Sequence, residues 1–100
     1  MYIKHLATKN RVKNPTYKTW DNMKTRCYNK SHNKWTWYGG KGITICNRWL
    51  GSKGYINFLA DMGEKPSSKH SIDRINPKLG YKPNNCRWLL LSINRKWGNK

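Results

Sequence analysis

Apolar positions recur at helical spacing in two stretches of the chain. Asn14-Pro15 offers an N-cap followed by proline at the first helical position, and Tyr17, Trp20, Met23 and Cys27 then fall on one face, which predicts a helix over 15–28. Tyr55, Phe58, Leu59 and Met62 fall at i, i+3, i+4 and i+7, with Gly63 placed to end the run, which predicts a second helix over 53–62. Shorter apolar runs read as strands. Ile43-Thr44-Ile45-Cys46 follows the turn-forming Gly39-Gly40-Lys41-Gly42, where glycines permit positive φ and close backbone approach. Ile72, between His70 and Asp73-Arg74, and Trp88-Leu89-Leu90 make two further strands separated by the turn at Gly80-Tyr81-Lys82-Pro83, and Ser92 is placed to cap a terminal helix with Asn94 in its first turn. Residues 1–13 are polar without periodicity and read as a basic arm with a short extended piece at Tyr2-Ile3; residues 14–100 read as one domain.

Charge changes this picture from a generic small fold to one with a polyanionic partner. Lys and Arg number 21 against 4 Asp and Glu, a net +17 whose self-repulsion needs compensation, and nucleic acid is the first candidate. A membrane-surface role would want a cleaner basic amphipathic helix. The longest apolar run is Trp88-Leu89-Leu90-Leu91, well short of the ~20 residues of a membrane span, and the N-terminus lacks a signal-peptide core; a soluble, cytoplasmic protein is expected. Six Trp and six Tyr can fill a core poor in Leu and Val or stack on bases, the core having the larger share. Three cysteines without a Cys-x-x-Cys pair argue against a disulfide framework and against a zinc staple. The glycine turn lacks the Gly-Lys-Ser/Thr ending of a P-loop.

The last third places polar residues at separated points, Asp73-Arg74, Asn85 and Asn94, where a strand end and a helix start can face one another. The run Asn85-Cys86-Arg87-Trp88-Leu89-Leu90-Leu91-Ser92-Ile93-Asn94-Arg95-Lys96-Trp97-Gly98-Asn99 resembles the HNH, or ββα-metal, endonuclease motif. A wider pattern, including Tyr38-Gly39-Gly40-Lys41-Gly42-Ile43, Asp61-Met62-Gly63 and Ser71-Ile72-Asp73-Arg74-Ile75, is similar to small HNH proteins common in bacteriophage genomes; the likeness covers residues 16–99. It implies an α+β fold with the ββα unit in the C-terminal third, and metal-dependent hydrolysis of double-stranded DNA by a phage-encoded, homing-like enzyme. Asp73 and Asn94 would ligate Mg²⁺ or Mn²⁺, and Asn85 would brace the strand-to-helix loop. The partner is DNA, with no membrane or small-molecule substrate, and the chain acts as a monomer or homodimer. A catalytically inactive DNA-binding regulator or inhibitor built on the same scaffold is the alternative, and an RNA-binding protein a third.

Two departures from the family pattern matter. Where the family has Asp-His, this chain has Asp73-Arg74, and a guanidinium cannot accept a proton near neutral pH; it can clamp a phosphate. The base must come from elsewhere: His70, which strand alternation sets on the face opposite Asp73, or His32, with Tyr38 and Tyr81 as rivals if a tyrosine pKa is depressed. Leu90 and Ile93 stand where a second pair of zinc-binding cysteines would be, so zinc is not expected. Phosphate grip would come from Lys18, Lys24 and Arg26 on the outer face of the first helix, from Lys41 and Arg48, and from Arg87, Arg95 and Lys96.

Overall fold

A computed structural model describes residues 14–93. The basic arm over 1–13, and Asn94, Arg95 and Lys96, lie outside the described residues. The fold is α+β: helix α1 (Pro15–Tyr28), helix α2 (Gly54–Met62) and an antiparallel pair, β1 (His70–Arg74) and β2 (Cys86–Leu90), joined by short 3₁₀ turns. No helix among the described residues is long and apolar enough to cross a membrane.

Both helices form where the apolar stripes predict them, for local reasons. The Asn14 Oδ1 accepts from the Thr16 and Tyr17 amides at 2.8 and 3.3 Å, and Pro15 occupies a position whose N–H would otherwise be orphaned. α2 has no side-chain cap at its start and ends at Gly63, which adopts φ 70° and donates its N–H to the Leu59 carbonyl.

The strand expected over Ile43–Cys46 does not form. Ile43 and Ile45 are buried, but among the described residues only one parallel bridge, Ile45 to Tyr81, links this stretch to another segment. The Ile45 amide donates instead to the Tyr28 hydroxyl at 2.9 Å and the Ile43 amide to the Tyr38 carbonyl, so the N–H groups a ladder would use are already taken. The bridge needs glycine beside it: a Cβ on Gly80 would sit 2.3 Å from the Thr44 carbonyl oxygen.

β1 and β2 pair in unbroken register from His70 opposite Leu90 to Arg74 opposite Cys86. Residues 91–93 are helical directly after β2, and the Leu91 amide donates to the Lys69 carbonyl. Ser92 thus lies inside the helix instead of capping it, and the Leu91 bond satisfies one of the first N–H groups.

Aromatic rings fill the space that Leu and Val fill elsewhere. Trp49, Phe58 and Met23 are fully buried, with Trp20, Cys27, Ile43, Ile45, Tyr81 and Cys86 around them. Trp49 meets Phe58 edge to face at 4.9 Å, and Phe58 meets Trp88 in the same manner at 6.1 Å, so α2 lies over the sheet. Each inner indole N–H has an acceptor: Trp20 on the Trp49 carbonyl, Trp49 on Asp61, Trp88 on the Met62 carbonyl. That pairing lets polar-edged rings occupy a core without a desolvation penalty.

Candidate functional site

In an antiparallel pair, register partners share a face, and neighbours along a strand do not. Asp73 faces Arg87 across the sheet, and the Arg87 Nε donates to the Asp73 Oδ2 at 3.0 Å. The carboxylate is buried, with a 6% exposed side chain, while Arg87 is 49% exposed. Arg87, expected at a DNA phosphate, is thus the cation that orients Asp73, and half of its surface still meets solvent.

Arg74, one residue on, points to the other face. Its Nη1 donates to the Pro77 and Leu79 carbonyls at 2.6 and 2.9 Å, and its guanidinium carbon lies 5.4 Å from the ring centres of both Tyr38 and Tyr81. It holds the loop between the strands and lies on the face opposite Asp73. Arg26 joins the cluster from α1: its Nη2 donates to the Tyr81 hydroxyl at 3.1 Å, and it lies 4.9 Å from the Tyr38 ring centre. The two tyrosine rings are near parallel, 17° apart at 6.4 Å. Arg26 is therefore not on a solvent face as expected, because its position next to Cys27 and one turn after Met23 sets it at the border of the buried stripe. Burial raises the Tyr81 pKa against the opposing pull of Arg26, the wrong direction for a proton acceptor.

Asn85 is buried and fully used. Its Oδ1 accepts from the Asn76 amide at 2.9 Å, and its Nδ2 donates to the Asn76 and Gly80 carbonyls at 3.2 and 2.9 Å. The loop it ties joins strand to strand, over 75–85; the expected strand-to-helix loop does not exist, since the helix follows β2 without a break. Replacing Asn85 by alanine removes three part-buried hydrogen bonds to the loop backbone and is expected to cost about 1.5–4 kcal/mol in urea unfolding.

The remaining expected residues are dispersed. His70 shares a face with neither Asp73 nor Arg87, and its Nδ1 pairs with the Ser67 hydroxyl at 2.8 Å. His32 lies in the loop after α1, where its Nδ1 accepts from the Lys34 amide. Lys18 and Lys41 are exposed, Lys41 standing 5.2 Å over the exposed Trp37 ring. Lys24 lies 3.7 Å over the Trp20 ring and 3.8 Å from Asp21. Arg48 is engaged by both oxygens of Asp61, at 2.6 and 2.7 Å, which holds that carboxyl below the usual range and ties the turn before α2 to its end. Half of the Arg48 side chain remains exposed beside this bidentate bond.

Burial pushes the Cys27 and Cys86 thiols up to about 11, so near neutral pH they are uncharged and pack as small apolar groups. Among the described residues no three His, Cys, Asp or Glu side chains gather at one point. The pair expected to hold a divalent cation is of another kind, a carboxylate and an amide, of which Asp73 is described and Asn94 is not.

Compared with protein-family models, with characterised proteins and with solved structures, the chain matches none. The chemistry of the site has to be read from its own side chains.

Proposed function

We propose that the chain is a metal-dependent endonuclease of the HNH, or ββα-metal, type that hydrolyses phosphodiester bonds in double-stranded DNA. The observation that carries this reading is the placement of Asp73: a buried carboxylate near the end of β1, oriented across the sheet by Arg87, in a hairpin that runs straight into a helix. Asn94 follows the described first residues of that helix in sequence. A carboxylate and an amide oxygen are hard donors and suit Mg²⁺ or Mn²⁺, leaving coordination positions for water and a phosphate oxygen. When bound, such an ion polarises the phosphoryl group and steadies the departing oxygen.

The chain's own residues supply the rest. Asn85 pins the loop that follows Asp73, which fixes where the strand end points. Arg87 orients the carboxylate and, being half exposed on the same face, is the guanidinium best placed to meet an incoming phosphate. Arg74 acts one step back, as a positioning residue for the loop. The net charge of +17 draws the polyanion to this surface, with an affinity that falls steeply as salt rises.

Supercoiled plasmid incubated with the full chain tests the reading. Nicked or linear product is expected with Mg²⁺ or Mn²⁺ and none with EDTA. Retardation of the plasmid without cutting under every metal sinks the enzyme and leaves the DNA-binding regulator.

A further inference from the structure

Between α1 and the edge of β1 that β2 does not cover lies an open cleft of about 310 Å³. Thr19, Asn22 and Arg26, at i, i+3 and i+7 on one helix face, form one wall; Lys65, Ser71, Ile72 and Tyr38 line the rest. Two cations, two hydroxyls and an amide line it beside an aromatic ring, and among the described residues no carboxylate lines the cleft. The Arg26 Nε is buried and has no acceptor among the described residues. A buried guanidinium N–H without an acceptor is costly, and the charge it belongs to stands at the wall of a cleft that an anion can enter.

We propose that this cleft is a nucleotide-phosphate subsite, holding one phosphate of a DNA strand between Arg26 and Lys65 with that nucleotide's ring systems against Tyr38. The proposal rests on the nucleic-acid reading above and names where the strand runs. Ser71 lies two residues before Asp73 on one face of β1, about 6.7 Å along the strand, while Ile72, Arg26 and Tyr38 lie with Arg74 on the other, so the cleft flanks the strand that carries the candidate cleavage site. Its volume lies at the low end of small-ligand pockets, the size of a single nucleotide unit rather than a duplex.

Fluorescence anisotropy in EDTA, with a labelled duplex and the full chain, separates this site from the general charge of the protein. Lys65→Glu is expected to weaken binding about 10-fold and to lower the salt slope by about one phosphate more than Lys53→Glu, an equal charge change at an exposed position outside the cleft. Equal losses in the two variants overturn the proposal. In a second arm, amide spectra of the wild type are followed while duplex, thymidine monophosphate or inorganic phosphate is added. Saturable shifts of Asn22, Ser71 and Ile72 with the duplex, lost in Lys65→Glu, support it. Shifts with the mononucleotide or phosphate but not with duplex overturn the strand assignment in favour of a free nucleotide, and the absence of shifts with any of the three overturns the site. Because no metal is present, a plasmid that is never cut leaves this result untouched, and a cut plasmid with equal losses in both variants rejects the subsite alone.

Discussion

Asp73→Ala is expected to lower the single-turnover rate of plasmid nicking by at least about 10³-fold while leaving DNA affinity in EDTA within about 2-fold of wild type. A factor of that size corresponds to roughly 4 kcal/mol of transition-state stabilisation. That is the scale on which a divalent ion acts at a transferring phosphoryl group, and Asp73 is the only anionic donor proposed for it. Arg87, the partner left behind, is 49% exposed and recovers its hydration, but the carboxylate itself is buried, so urea unfolding of the variant accompanies the rate measurement and separates lost folding from lost chemistry. Asp73→Asn sharpens the result: the amide keeps the shape and an oxygen for the Arg87 Nε, yet carries no charge. Both variants should fail to cut, and both should retard DNA in gels as the wild type does. A nicking rate for Asp73→Asn within tenfold of wild type sinks the ligand role. A loss of retardation equal to the loss of cutting would instead assign Asp73 to the binding surface.

The parts of this molecule legible in the sequence are those decided by neighbours in the chain. α1 is announced by Asn14-Pro15 and by a stripe that repeats over its length, and α2 by its i, i+3, i+4, i+7 pattern with Gly63 behind it. The separation of His70 from Asp73 follows from a period of two and holds because the register of β1 against β2 is unbroken. What failed depended on partners distant in sequence. Ile43–Cys46 has the composition of a strand, but whether a ladder forms was decided by the Tyr28 hydroxyl and by the single approach at Gly80. The helix start at Leu91 was set by the Lys69 carbonyl. The cations were the hardest to place, since a chain with 21 of them and 4 acids does not show which few meet a carboxylate. Arg48 and Arg87 do so through folding that brings Asp61 and Asp73 to them, and Arg26 finds a tyrosine 55 positions away. A border position on α1 was the one sign that Arg26 would turn inward.

Trp49→Ala tests the other half of the picture, that most of the indoles build the core and do not stack on bases. Trp49 is fully buried, packs edge-on against Phe58, and donates its N–H to the Asp61 carboxylate that also holds Arg48. Truncation removes the ring, opens a cavity beneath α2 and frees one side of the Arg48–Asp61 pair, a combined cost of about 3–5 kcal/mol. For a domain of this size, total stability is on the order of 5–15 kcal/mol, so the melting temperature should fall by roughly 15–30 °C. Trp49→Phe restores most of the ring but not the bond to Asp61 and should cost about 1–2 kcal/mol. Trp37, 59% exposed, is the internal comparison: Trp37→Ala should change stability by no more than about 0.5 kcal/mol. Urea unfolding followed by near-ultraviolet circular dichroism measures all three. Comparable midpoints for Trp49→Ala and Trp37→Ala would mean that burial is not what holds Trp49 in place. With the expected order, nucleic-acid binding separates the roles: Trp49 variants lose it only as they unfold. Trp37→Ala, which also removes the ring beneath Lys41, should weaken binding while the fold stays intact.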